Sequence, residues 1–224
     1  MNYSMIRILM LKDWYLQRWL ILASLLGGVI ALGIVCIPGT AAFMVGLILL
    51  LTVLIATGAQ LAIATMVQER RDQTLSFVMS LPISYREYTT AKLMGTLTIF
   101  MVPWLALVLG SFALFVLPNG IRHGLLPFTA IMSVELLVST CLIMAVALVT
   151  ESQGWTIGAV MVGNVAVNLV GYFVAHIKSI ARGMDGHALM WSPAASALLV
   201  TEFAMIALLL GGTFFLQSRK KNFL

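Results

Sequence analysis

The sequence predicts an all-α, polytopic membrane protein with six transmembrane helices. Three observations carry that prediction. Charged residues make up only 9% of the chain and hydrophobic residues 61%, whereas a soluble domain has about 25% charged residues. The apolar residues fall into six runs, each about as long as the roughly 20 residues a spanning helix needs. The basic residues, finally, sit in the short hydrophilic segments between those runs, where they set membrane orientation.

The same pattern excludes several function classes. A net charge of +5 on a soluble protein would raise the question of nucleic acid, but basic residues confined to inter-span segments leave no continuous surface for it, so no nucleic acid is expected. Cys36 and Cys141 both lie inside apolar runs and suggest neither a disulfide framework nor a metal site. The three histidines, His123, His176 and His187, are scattered and lack H-E-x-x-H spacing, so no metal is expected. No A-x-A-like cleavage site follows the first apolar run, which reads as a retained helix.

Residues 1–18 mix apolar side chains with Arg7, Lys12, Asp13, Gln17 and Arg18 and contain no helix breaker. They are expected to form a cytoplasmic interfacial helix, with Trp14, Tyr15 and Trp19 at headgroup depth; the alternative is an extension of the first span. The transmembrane domain then covers 19–224, with spans at about 19–37, 41–67, 88–117, 128–150, 155–177 and 193–217. Pro38-Gly39 ends the first span in a tight turn, Pro103 is expected to kink the third, and Pro118-Asn119-Gly120 closes it. The connection 178–192 holds Gly183, Gly186 and Trp191 among apolar residues and is expected either to float free or to dip back into the bilayer.

With both termini on one side, that side holds Arg7, Lys12, Arg18, Arg70, Arg71, Arg86, Lys92, Arg219, Lys220 and Lys221, against Arg122, Lys178 and Arg182 on the other. Ten basic residues against three place both termini in the cytoplasm.

The hydrophilic segment between spans two and three stands out. Between Glu69 and Lys92 it carries seven of the twenty-one charges in the chain. Asp72 suits the cap of a short helix, and Leu75, Val78 and Met79 then share one apolar face. Pro82 stops that helix, and Ser84 with Glu87 matches a capping box that starts the third span. So short a helix is unstable alone; it is either held against something or is simply a solvated basic loop.

This segment resembles the first cytoplasmic loop of ABC type-2 exporter permeases, an E-R-x-x-G-T-L-x-x-L-L-x-x-P-V-S-R-x-E-x-x-x-x-K-like run. Glu69, Arg70, Thr74, Leu75, Pro82, Ser84, Glu87 and Lys92 fit it, while Gln73 stands where glycine is usual and Tyr85 where a base is common. The resemblance implies a coupling loop over 69–87, including Arg71, Asp72, Val78 and Met79, that docks on an ATP-binding-cassette ATPase. It implies two copies of that ATPase, carrying ATP and Mg, and a second permease half, identical or homologous, in a bacterial inner membrane. No G-x-x-x-x-G-K-S/T phosphate loop occurs in the sequence, so no cofactor is expected in this chain and ATP hydrolysis is expected on a partner.

Polar residues inside the spans are the remaining candidates. Glu135 and Glu202 lie about eight and nine residues into spans four and six, about 12–14 Å deep, and intramembrane carboxylates are functional candidates by default. They either line a pathway, pair with Arg122, Lys178 or Arg182, or hydrogen-bond between helices. Asn164 and Asn168, four apart on one face of span five, suit a pathway or, more simply, helix-to-helix hydrogen bonds, as does Gln60. Glu151 marks a second short cytoplasmic turn, a minor ATPase contact or a solvated helix end. An ATPase-independent transporter using Glu135 and Glu202 is the alternative function, and an intramembrane enzyme using Ser111 and His176 the more remote one. An exporter of hydrophobic or amphipathic cargo, such as a peptide, antibiotic or lipid, fits the apolar spans.

Overall fold

The computed structural model describes residues 3–68, 85–116, 122–184, 186 and 190–219. Within them every regular element is helical. The order is α1 (Tyr3–Val35), α2 (Thr40–Ala62) running on into a π-helical turn (Ile63–Val67), α3 (Tyr85–Val116), a 3-10 turn (His123–Leu125), α4 (Leu126–Thr150), α5 (Gln153–His176), α6 (Lys178–Met184) and α7 (Pro193–Arg219). All but α6 are long and apolar enough to cross a membrane, giving six spans. Six crossings put the first residues of α1 and the last of α7 at one end of the bundle, here called the terminal end.

One expectation fails at the start of the chain. The opening segment is not an interfacial helix separate from the first span, because Tyr3 to Val35 is a single helix whose membrane-length part begins at Met10. The physical reason is local: neither glycine nor proline occurs before Gly27, so nothing interrupts the hydrogen-bond ladder. The other predicted spans agree with the helices to within a few residues. Pro103 sits inside α3, which continues past it to Val116.

Two tight turns link neighbouring helices. Gly39, at φ 130, closes the α1–α2 turn in a conformation that costs a residue without a Cβ least. Glu151 caps α4 in the left-handed region at φ 53, its N–H bonding Ala147 O at 2.9 Å, in the manner of a helix C-terminal cap.

The helix pairing can be read from which residues meet. Constant differences in residue number mark parallel pairs: Asp13 meets Lys92, Gly28 meets Leu107 and Leu32 meets Gly110, so α1 and α3 run side by side in one direction. Gln217 donates to Leu148 O, both near the ends of their helices, and α7, two crossings after α4, runs parallel to it. Constant sums mark antiparallel pairs: Gly27 with Val53 and Gly46 with Ala31 and Val35 for α1 and α2, and Ser139 with Gly163 and Met132 with Gly171 for α4 and α5. At the closest of these approaches a Cβ on Gly28 would lie 2.3 Å from the Leu107 side chain, so glycine there sets the distance between the helices.

α4 is the central post. Of its apolar stretch 89% is buried, against 11–33% for the other five spans. Leu54, Leu61, Phe100, Trp104 and Leu107 from α2 and α3 close on it through Met132 and Leu136, and Trp104 Nε1 donates to Ser133 O at 2.9 Å. At the other end from the termini the connection after α5 folds back as α6. Ile180 packs with Ile131, Val174 and Ala195, and Gly124 N donates to Gly186 O at 3.3 Å.

The parallel α1–α3 pair is tied by charge. Lys92 Nζ lies 2.9 Å from Asp13 Oδ2, with Lys92 1% and Asp13 3% exposed; Lys12 Nζ approaches the other oxygen at 4.0 Å. Beside it Thr65, in the π-helical turn, shares a hydrogen bond of 3.0 Å with Thr96. Removing one partner of a buried ion pair leaves an uncompensated charge, which costs about 3–5 kcal/mol, whereas replacing both by apolar groups is often close to neutral. Lys92→Met and Asp13→Leu are therefore each expected to lower the melting temperature of the purified protein sharply, and the double variant to regain most of the loss; thermal unfolding in detergent measures it.

Candidate functional site

The coupling-loop residues Glu69, Arg70, Arg71, Asp72, Thr74, Leu75, Val78, Met79, Pro82 and Ser84 lie outside the described residues, as does the Glu87 side chain, although its backbone belongs to α3. Lys92, at the end of the same motif, is described. It points into the bundle and holds α1, as above, rather than reaching outward.

Glu135 and Glu202 are brought together. Each sits nine residues from the start of its helix, on α4 and α7 respectively. These helices are parallel, so the two carboxyls lie at one level, about 13 Å from the end opposite the termini. Each residue is 5% exposed, on two helices that pack directly against each other. Glu202 Oε2 is enclosed without a hydrogen-bond partner. One turn beyond Glu135 on α4, Ser139 Oγ is likewise enclosed and unpartnered, facing Gly163 of α5, where a Cβ would lie 2.4 Å from it. Neither carboxyl pairs with Arg122, Lys178 or Arg182 among the described residues. An unpartnered carboxyl oxygen beside a second carboxyl is an acceptor-rich site that suits a proton, a small cation or a basic group on a cargo molecule.

A scan of protein-family models finds no match to the chain, and comparisons with curated proteins and with solved structures find no significant similarity. The functional reading therefore rests on the residues themselves.

Among the described residues the asparagines do not bridge helices. Asn168 Nδ2 donates to Asn164 Oδ1 at 2.9 Å and to Asn164 O at 2.8 Å, and both residues are exposed. The expected interhelical role is thus replaced by a bond along α5, because their face points away from α4. Gln60 is exposed and forms no interhelical hydrogen bond among the described residues either. Ser111 and His176 are not brought together as a nucleophile and base. The Ser111 hydroxyl donates to Leu107 O at 2.8 Å, and His176 Nδ1 meets Tyr172 O at 2.7 Å on another helix. Glu151 is half-buried in its left-handed turn. A cavity of about 390 Å³ opens between α1 and α3, lined by Arg7, Trp14, Gly95 and Thr98 among others; it lies apart from the carboxyl pair.

The sequence did not signal Asp13 with Lys92, seventy-nine positions apart, or Gln217, whose amide is buried against the end of α4. The one available hint was that Asp13 and Lys92 are opposite charges each lying within three residues of where a spanning stretch begins, at Met10 and at Thr90.

Because Glu202 is enclosed and its Oε2 lacks a partner, Glu202→Gln keeps the shape of the side chain and removes any cost of ionisation there. It is expected to raise stability by about 1 kcal/mol, read as a higher melting temperature, while Glu202→Ala lowers it by leaving a void.

Proposed function

We propose that the chain is the membrane subunit of an ABC exporter in a bacterial inner membrane, moving a hydrophobic or amphipathic substrate outward by alternating access. The observation that carries this reading is the charged segment 69–87, with its two cap signals in the sequence, between the second and third spans. It falls at the end of the bundle that holds ten of the thirteen basic residues, the cytoplasmic end by the distribution of positive charge. The sequence contains no phosphate loop, so the ATP and Mg belong to a partner ATPase, present in two copies. A second permease half, the same chain or a homologous one, completes the pathway.

The packing supports a route for the coupling. The segment feeds directly into α3, and α3 is tied to α1 by Lys92–Asp13 and to the end of α2 by Thr96–Thr65. A force on the segment thus moves three helices together rather than one. The Glu135–Glu202 pair, toward the far end, would meet cargo on its way out and favours a basic group on it.

The same pair supports a second reading, an ATPase-independent transporter that carries a proton or cation through Glu135 and Glu202; ion-gradient-driven transport by the purified chain alone would establish it. For the leading reading, the chain is co-expressed with its ATPase and carries Glu69→Arg with Arg70→Glu. Complex formation and ATP-dependent transport are expected to fall at least about tenfold, a loss of some 1.4 kcal/mol or more in docking; an unchanged complex overturns the assignment.

A further inference from the structure

α1 is longer than the bilayer is thick. Its 33 residues run about 50 Å, against roughly 30 Å of hydrocarbon and about 40–45 Å with the headgroups. Val35 ends it just before the Gly39 turn, which puts that residue at the far boundary of the hydrocarbon. Counting back toward the terminal end, Trp14 lies twenty-one residues from Val35, about 32 Å away and at the near boundary. Arg7 lies twenty-eight residues from it, about 42 Å away and at headgroup depth. On the parallel α3, Ile99 comes seventeen residues before Val116, about 26 Å from that end and inside the hydrocarbon. The cavity of about 390 Å³ between these helices is lined by all three residues. It therefore opens among the headgroups and runs down into the acyl chains.

The lining changes polarity with that depth. Arg7 is exposed and, among the described residues, has neither an ion pair nor a ring partner. The other described basic side chains of α1 and α3 are engaged. Arg18 lies over the Tyr15 ring at 4.2 Å and the Trp19 ring at 5.4 Å, and Lys12 and Lys92 both approach Asp13. Below Arg7 the walls are apolar, with Met10, Leu11 and Ile99. The Thr98 hydroxyl turns back to Met94 O at 2.7 Å, so its proton is spent on its own helix. Among the described residues no acid lines the cavity. Gly95 forms part of the wall, where a Cβ would come 3.3 Å from Met10 Cγ, so the absence of a side chain keeps the slot open.

A single cation at headgroup depth above an apolar slot matches a molecule with an anionic head and a hydrocarbon tail. Arginine holds a phosphate through paired N–H···O bonds, and basic pockets between spans on the cytoplasmic side suit anionic headgroups. We propose that the groove between α1 and α3 is a binding site for one anionic phospholipid of the leaflet at the terminal end. Its phosphate sits on Arg7 and one acyl chain lies along Met10, Gly95 and Ile99. A free phosphate would use Arg7 but leave the slot unfilled, and a peptide would bring backbone amides that the slot cannot pair. A lipid tail does neither. Bound there, it fills the space between the two helices that Lys92–Asp13 ties, and so acts as a structural lipid rather than as cargo. The site needs neither ATPase nor transport, so it stands or falls separately from the coupling segment.

The test uses the purified full chain in detergent, titrated with dioleoyl phosphatidylglycerol or, in a parallel arm, with dioleoyl phosphatidylcholine. Bound lipid is counted by native mass spectrometry. The first lipid is expected to bind at least about fivefold more tightly as phosphatidylglycerol. Arg7→Ala is expected to bring phosphatidylglycerol down to the level of phosphatidylcholine. Arg18→Ala, which removes a base held on aromatic rings of its own helix, is expected to leave the preference intact. Thr98→Phe, at an exposed position, is expected to block the slot and weaken both lipids at least about fivefold. Excess inorganic phosphate is expected to leave the lipid in place. Equal binding of the two lipids, an unchanged preference in Arg7→Ala, its equal loss in Arg18→Ala, or undiminished binding in Thr98→Phe overturns the proposal. So does displacement by phosphate, which assigns Arg7 to a free anion, or a co-purified peptide in place of the lipid.

Discussion

The structure depends on enclosing α4. In a bilayer, lipid tails are as apolar as leucine, so helices do not associate to escape water; they associate where their surfaces fit and where their polar groups find partners. α4 meets both conditions. Neighbours approach closely at Gly58 and Gly163, which face Thr140 and Ser139 of α4. Its hydroxyls at Ser133 and Thr140 bond carbonyls of their own helix at 2.7 and 2.8 Å, and its backbone at Ser133 and Leu148 accepts from Trp104 and Gln217. The five other spans then need to bury only one side each, which leaves their outer faces for lipid or for another subunit.

Against that background the unpartnered atoms are conspicuous. Ser139 and Glu202 leave enclosed polar groups unsatisfied in the region where α5 and α7 pack on α4. A bundle optimised for stability alone would fill these positions with alanine and leucine. Their presence in the most enclosed helix and its parallel neighbour is what makes this part of the molecule the candidate site.

Much of the architecture was legible in the sequence, because the run length of apolar residues is a direct image of bilayer thickness. The turn at Pro38-Gly39, the start of α7 at Pro193 and the helical backbone from Tyr85 onward follow from local chemistry in the same way. The separate entry helix did not, since polar side chains at an interface are compatible with either a break or a continuation, and only a breaker would have decided it. Glu135 and Glu202 were visible as intramembrane acids, but their meeting required knowing that α4 and α7 are parallel. Asp13 and Lys92 were invisible as a pair for the same reason: helical periodicity reports which face a residue is on, never which other helix that face meets. Asn164 and Asn168 were correctly placed on one face, and their mutual bond follows from four-residue spacing; that the face points outward was not written in the spacing.

The interhelical polar ties are unevenly distributed. Asp13–Lys92, Thr65–Thr96 and Gln217–Leu148 O all lie toward the terminal end, while Trp104–Ser133 O is the one described tie between spans in the other half. Among the described residues the ties between spans thus gather at one end, and a rod tied there pivots about that end. A rigid-body tilt of a few degrees about those ties displaces the level of Glu135 and Glu202 more than the level of Lys92, because the lever arm is longer.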